Sequence, residues 1–588
     1  MGIPKFLSYL KTKYPTKWII EQNTMGVEDK WDYLILDYQS LGYSTYEVFF
    51  SEVNYFIRML HHPNPPLTMI QKILTKYSFY FTKVYGYIPL KPLEEIDMML
   101  NANYNDINIL IEALVQLIII HTKNLATHHI ASKQKYSHTY IFFDGIPSIA
   151  KIKEQVMRRV FPEFLNPIKK ELLDSIPECM EKKIRMKLLP ELPPSIGLGT
   201  PVVNGLREEL QNIIDPVLGK FNINENQLGE AEHQITRFIN KYSNKFKGMK
   251  VLLASPDADL ILLSLIGMVH GFNIDIYKES GMTQKNHTFF NDINDRSELF
   301  YKIYEYIKID ELKKILGFDS DQKIIDICFS LLLLGDDFVP MIPTITINIM
   351  DDILKTYDKL NEKANGKFRI VNMGQPNKIY YKGLMLLIKY LAINENKWEN
   401  NTVNNFNNRL PRLEKKKEDF KKLAHFYKIP NDNNYHLFEK IFLFENGFCK
   451  NMSLMKPIKI IHMKSKDEKI INYLQGCHFI FDIYINNKLE NYRWHYKYEA
   501  APKLKEIADF MEKHINKIDM MSTYMVKETK YFNIDEYKAY VDNYKKKVIQ
   551  SIAPTEKFIV YENADKIFNC DGKLYFNKCI DIINPPSV

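Results

Sequence analysis

Four short apolar runs, each halted by an acidic residue, constrain this 588-residue chain more than any other feature. They are Tyr33–Leu36 before Asp37, Tyr140–Phe143 before Asp144, Val251–Ala254 ahead of Asp257, and Leu331–Leu334 ahead of Gly335-Asp336-Asp337. Runs this short and apolar throughout suit strands buried on both faces, although the leucine run equally suits the end of a helix. Helical periodicity separates them, as in Ile235, Phe238, Ile239 and Tyr242 at i, i+3, i+4 and i+7. Strand and helix in alternation predict an α/β protein with a mainly parallel sheet flanked by helices. In such sheets functional residues gather beyond the carboxyl ends of the strands, where these acids fall.

Composition narrows the rest. A hydrophobic fraction of 46% and an aromatic fraction of 13% exclude a chain that is mainly disordered. Glycine is scarce, 22 residues in 588, which predicts long helices and few forced turns. The net charge of +8 permits a polyanionic partner without demanding one. Six cysteines without a C-x-x-C pair argue against a disulfide framework or a zinc ribbon and for a reducing compartment. The start carries no signal-peptide pattern, and Phe6 stands where a myristoylation motif needs Ser or Thr. The most apolar stretch, Ile107–Ile120, reads as too short for a bilayer and contains Glu112 and Gln116. The expectation is a soluble, cytoplasmic, monomeric protein with no membrane association.

Along the chain, residues 1–350 read as one core carrying a helical insertion at about 48–135. Residues 351–450 read as a Lys/Asn-rich helical linker, and 451–588 as a second, helix-rich lobe closing over the active site. No internal repeat is evident.

Asp37, Asp144, Glu230, Glu232, Asp257, Asp259 and Asp337 are the candidate catalytic and metal-binding residues. Taken singly, an Asp at a strand end is more often a cap or turn residue. The ordered set carries the hypothesis. Asp257 and Asp259 flank an alanine, so in an extended segment both carboxylates point the same way. Glu230 and Glu232 are expected in a turn entering the helix Glu232–Tyr242, beside the positive end of its dipole. One like-charge pair at ~4 Å costs on the order of 4 kcal/mol at an effective dielectric near 20, so convergence calls for cations. Oxygen ligands with no histidine or cysteine cluster nearby select Mg²⁺, with Mn²⁺ as a substitute. Two such ions can activate water and stabilise the leaving oxygen of a phosphodiester.

After Asp144, Ser148 is a plausible N-cap for a helix over Ile149–Val160. Ile149, Ile152, Val156 and Val160 share one stripe of its wheel, whereas Lys151, Gln155, Arg158 and Arg159 fall on the other and are expected to face the space above the acids. Two guanidiniums, an ammonium and an amide suit a terminal phosphate.

These residues resemble the XRN family of 5′→3′ exoribonucleases. The resemblance runs in ordered blocks: Met1–Phe6, Leu36-Asp37, Phe143–Gly145 with Ala150-Lys151, Ile196–Thr200, Gly229–His233, Asp257–Leu260, and Gly335–Phe338 with Pro340. A later block, Trp494–Pro502, is similar to the family's Trp/Tyr-rich segment. The resemblance implies a PIN-like nuclease core whose seven acids hold two Mg²⁺ ions. It also implies single-stranded RNA with a 5′ monophosphate as substrate, processive release of 5′-mononucleotides, and a 5′-phosphate pocket of Lys151, Gln155, Arg158 and Arg159. Trp494 matches an aromatic that stacks on the first base. Tyr43 stands in place of the family's stacking histidine, Gln39 in place of an asparagine, and Asp336 in place of another. The insertion is longer than usual, and the small β-domains of larger members are not found. A flap-endonuclease-like DNA enzyme and a non-catalytic RNA-binding scaffold are the alternatives.

Overall fold

The structure, a computed structural model, describes residues 3, 6–21, 30–46, 48–49, 67–85, 107–130, 134–152, 155, 197–224, 228–284, 300–374, 376–407, 465–498, 500–523 and 531–552. The chain divides into two compact units. One comprises Pro15–Ile146 and Ile176–Leu316; the other comprises Met1–Tyr14, Pro147–Ser175 and Gly317–Val588.

The first unit is α/β, as expected. Its sheet contains β1 (Ile19–Glu21), β2 (Tyr33–Asp37), β3 (His138–Phe142), β4 (Ile214–Asp215), β5 (Gly219–Ile223), β6 (Lys250–Ala254), β7 (Asn273–Gln284) and β8 (Phe300–Ile307). The spatial order is β1-β8-β7-β6-β2-β3-β5-β4. β5, β3, β2, β6 and β7 are mutually parallel, while β1, β4 and β8 join the two edges antiparallel. Three of the four apolar runs are thus the adjacent strands β3, β2 and β6. Alternation along each strand feeds two cores. Leu34, Leu36, Ile141, Phe143, Leu252 and Ala254 face a cluster shared with helices Ser78–Tyr85, Ile107–Leu125 and Pro201–Gln211. On the other face Tyr33, Tyr140 and Phe142 pack against Phe238 of helix Ala231–Lys241 and Phe246. Burial on both faces explains why these strands show no polar alternation.

Two expectations change. The apolar run that begins at Ile107 extends through helix Ile107–Leu125, 19 residues, so Asn108–Leu125 is long and apolar enough to cross a membrane by length and composition. Here Ala113, Val115, Leu117, Ile118 and Ile119 are buried in the core, and Gly205 of helix Pro201–Gln211 admits Val115 at close range. Leu331–Leu334, in turn, is no strand but closes helix Asp321–Leu332, which Ser320 caps at its start. Every residue from Ile324 to Leu332 is buried, and a helix apolar all round has the same local signature as a buried strand.

Among the described residues, the second unit is helical apart from the ribbon β9 (Val371–Asn372) and β10 (Lys378–Ile379). Buried carboxylates pin its helices. Asp326 accepts from the Ile370 and Val371 amides at 3.0 and 2.7 Å, from Gln322 at 3.1 Å and from the Tyr357 hydroxyl at 2.9 Å. Burial outweighs these bonds and pushes its carboxyl up to about 6. Glu395 accepts from Thr344 and from the Leu504 and Lys505 amides, satisfying donors at the start of helix Leu504–Thr523.

Candidate active site

β2 lies between β3, reached next in the chain, and β6, reached later from the other side. That is a topological switch point, where the connections leave a crevice beyond the strand ends. Asp37 is the last residue of β2, paired in register with Phe142, and Leu36 is paired with Ala254. The segments that follow β3 and β6 therefore leave the sheet beside Asp37.

Hydrogen bonds join Asp37, Asp257 and Asp259, and the Asp144 amide bonds to a side chain two residues past Asp37. Asp37 is fully buried and accepts the Ser255 hydroxyl at 2.7 Å and the Ser40 amide at 3.2 Å. Ser255 Oγ accepts the Asp257 amide at 3.2 Å, and Asp257 accepts the Asp259 amide at 3.0 Å. Gln39 Oε1 accepts the Asp144 amide at 3.1 Å. Burial, then the Asp144 charge, hold the Asp37 carboxyl well above the usual carboxylate range, with the Ser255 and Ser40 bonds opposing.

Asp144, two residues past β3, also caps another element. It accepts the Ala231 amide at 2.9 Å at the start of helix Ala231–Lys241. Glu230 occupies the N-cap position in an extended conformation without capping the helix by its side chain. Because Glu230 lies outside the helix and Glu232 within its first turn, the two do not diverge as helical i and i+2 neighbours would. Their ligand oxygens and a ring nitrogen of His233 lie within 4.8 Å of one another, all three side chains buried. Gly229, at φ +80°, makes the turn into this segment, and the Gly145 amide reaches its carbonyl at 2.8 Å.

Several contributors escaped the sequence reading. His233 places an imidazole among the acids, contrary to the expectation of a purely oxygen environment. Gln234, 1% exposed, donates to Phe143 O at 3.0 Å and Gly229 O at 2.7 Å, tying the Asp144 strand to the Glu230 turn. Ser255 carried no signal beyond its place after a strand. Arg207 lies 4.8 Å over the Phe143 ring; burial lowers its pKa while the Asp144 charge opposes. Asp257 and Asp259 flank no extended segment: Asp259 opens helix Asp259–Val269, and the turn itself turns the Asp257 side chain towards the Asp259 amide.

In the second unit, Lys151 is 3% exposed and ion-paired with Asp337, with its ammonium 5.9 Å over the Phe338 ring. It meets one of the candidate acids from a buried position. Burial opposes but the Lys151 charge prevails, holding the Asp337 carboxyl below its ordinary value. Asp336 accepts the Phe338 and Val339 amides at 2.8 and 2.7 Å, so this carboxylate is directed into its own turn. Ile149–Ile152 is helical and Gln155 half-buried, whereas Arg158 and Arg159 lie outside the described residues. Tyr43 is 52% exposed. Trp494 is half-buried, its ring 4.8 Å from Phe479. A Cβ on Gly476 would lie 2.9 Å from that indole, so only glycine admits it unshifted.

Carboxylates held by backbone amides and hydroxyls, with one carboxyl resisting ionisation through burial and charge crowding, form a donor set that fits a hard or borderline divalent cation. Residues 111–280, which span β3, β6 and the segments carrying the five acids other than Asp37 and Asp337, with Gln234, match the sequence model described as the XRN 5′-3′ exonuclease N-terminus. A curated protein of Acanthamoeba polyphaga mimivirus, named as a putative 5′-3′ exonuclease, is 29% identical over 210 residues, 31% of this chain and 31% of the relative. The matched region thus spans about a third of that relative's length. Over residues 111–280, the chain is therefore similar to the N-terminal part of XRN 5′-3′ exonucleases.

Proposed function

We propose that the protein is a divalent-cation-dependent 5′→3′ exoribonuclease acting on single-stranded RNA with a 5′ monophosphate and releasing 5′-mononucleotides. The observation that carries this reading is the linked set of acids beyond β2, β3 and β6, within a chain that matches the nuclease family. Asp37, Asp144, Glu230, Glu232, Asp257 and Asp259 would hold the cations, with Mg²⁺ favoured by their oxygens and Mn²⁺ also accommodated by the His233 nitrogen. When bound, the cations supply a hydroxide nucleophile at neutral pH and charge neutralisation at the leaving oxygen.

The chain's own groups do the positioning. Ser255 fixes the Asp37 carboxyl and the Asp257 backbone together. Gln39 and Ala231 hold opposite ends of Asp144. The expected roles of Asp337 as ligand, of Lys151, Gln155, Arg158 and Arg159 at the 5′ phosphate, and of Tyr43 and Trp494 in base stacking belong to this proposal and are tested by substitution. So do monomeric state and cytoplasmic location.

The test compares decay of RNA bearing 5′-phosphate, 5′-hydroxyl or 5′-triphosphate, with Mg²⁺ and with EDTA. Mononucleotide release from the 5′-phosphorylated RNA alone, abolished by EDTA and by Asp257→Ala, is expected. Equal decay of all three substrates would remove the end preference, and cutting of branched DNA with linear RNA intact would favour the flap-endonuclease alternative.

A further inference from the structure

The end of the sheet opposite the acids has a distinct character. Helix Ala231–Lys241 begins at Glu230 and runs back along the strands, so its 11 residues separate the two ends by about 16 Å at ~1.5 Å per residue. There the chain passes through Lys241, Tyr242, Lys245, Lys247 and Lys250, all exposed, with no acidic residue from Asn240 to Lys250. Backbone bonds gather neighbouring turns onto the same edge. Asp32 N–H donates to Lys250 O at 2.8 Å, Lys220 N–H to Ser137 O at 3.0 Å, and Tyr136 N–H to Val217 O at 2.8 Å. These turns add Lys30, Lys135 and Lys220, again exposed.

Among the described residues of these turns the acids are Asp32 and Asp215. Asp215 is engaged by Lys123 at 3.2 Å and by its own turn amides. Among the described residues of this edge, seven lysines less Asp32 leave a surplus of +6. Aromatic rings lie among these charges and are fixed by packing. Lys245 hydrogen-bonds the Tyr140 hydroxyl and lies 5.2 and 5.0 Å from the Tyr33 and Tyr140 ring centres. Tyr242 stands 4.9 Å from Phe238 and keeps 44% of its surface exposed.

We propose that this edge is a second nucleic-acid contact, taking the backbone of single-stranded RNA on its lysines and an unpaired base on Tyr242. Lysines neutralise phosphates whatever the sequence, and an exposed ring offers every base a stacking face. A duplex conceals its base faces, which is why the ligand is single-stranded. A tyrosine already held by Phe238 loses little freedom on stacking. The proposal takes RNA as the polyanion from the nuclease reading, but the surface itself is independent of the acids.

The test uses the full chain in EDTA, so that binding is read without cleavage. Anisotropy of a long, unstructured 5′-hydroxyl oligouridylate is followed over a range of KCl concentrations. The variant K220Q/K241Q/K247Q/K250Q should flatten the slope of log K against log[salt] by about 2.8, at ~0.7 per single-strand phosphate, and weaken low-salt binding by at least about tenfold. Tyr242→Ala should weaken it by about tenfold at all salt concentrations. Thermal unfolding should be unchanged for the lysine variant, whose substituted side chains are exposed, and Tyr242→Phe, which keeps the ring on Phe238, should bind and unfold like the parent. With Mg²⁺ restored, cleavage of a 5′-phosphorylated trinucleotide, too short to span both ends, should match the parent. An unchanged salt slope would overturn the proposal, as would duplex RNA or polyglutamate competing as well as single-stranded RNA. Failure of the parent to cut the trinucleotide would overturn the nuclease reading and leave the binding result standing.

Discussion

Replacing Gln234 with leucine tests whether the site's geometry is held by one buried amide. The side chain makes three hydrogen bonds: to Phe143 O, to Gly229 O, and from Asn224 Nδ2 at 2.9 Å. Leucine fills similar volume, so the cavity contribution is small and the polar groups left behind dominate. Phe143 O loses the donor supplied by Gln234 in a dry environment, about 1–3 kcal/mol. Gly229 O keeps the Gly145 amide and loses about 0.5–1.5 kcal/mol. Asn224 is half-buried and can turn to water. The total is about 2–4 kcal/mol, read by denaturant unfolding in EDTA. The same change removes one of the ties between the Asp144 and Glu230 segments, and displacements of about 0.5 Å degrade a preorganised constellation. Calorimetric titration with Mn²⁺ should therefore show affinity reduced by about tenfold. Gln234→Glu is the sharper control: an ionised carboxylate has no donor for the two carbonyls, so it should be worse than leucine at pH 8 and partly recover when protonated. Stability within 0.5 kcal/mol of the parent, estimated against the lower end of that range, together with unchanged Mn²⁺ affinity would refute the reasoning.

Lys151→Met removes one cationic partner of the Asp337 carboxylate, so a loss below the roughly 3–5 kcal/mol for halving an isolated buried pair is expected, and Lys151→Met/Asp337→Leu should recover much of it in urea unfolding. The folded-state pKa of Asp337 is depressed, so the parent's advantage over the double variant should be present above pH ~4 and fade as pH falls below it. Asp326 has the opposite sign. Its folded-state carboxyl, raised to about 6, holds a proton that the unfolded chain has released, so its contribution weakens as pH rises from ~4 to ~6. Carbon-13 NMR of that carboxyl should titrate near 6, and a midpoint at 4 or below would contradict the burial argument. Gly229→Ala imposes φ +80° on a residue with a Cβ, which would also sit 3.1 Å from the Arg237 guanidinium. A loss of about 1–2 kcal/mol is expected, with Mn²⁺ affinity falling in parallel.

The three central strands were legible because burial on both faces leaves a short, wholly apolar word before each acid. Leu331–Leu334 wrote the same word from within a helix, and only neighbours distant in sequence distinguish the two. The acids Asp37, Asp144 and Asp257 were readable from strand ends. Their supports were not, because Ser255, Gln39 and Gln234 act through contacts 218, 105 and 91 residues away. The Glu230–Glu232 pairing depended on one residue of helix boundary, a quantity that periodicity does not fix. The wheel set Lys151 on the side facing the acids, and it pairs with one of them, Asp337, but periodicity does not show that the ammonium is buried.

The packing of Trp494 on Gly476 makes the chain its own spectroscopic probe. Of its four tryptophans, Trp18 and Trp31 are sealed at 0% and 1% exposure and Trp398 at 8%, leaving Trp494 as the one reachable by a soluble quencher. Collisional quenching of the intrinsic emission therefore reports on that indole without any label. A methyl group at position 476 would press on both the indole and Val339, so any shift of Trp494 can be read by quenching while the indole itself is left untouched.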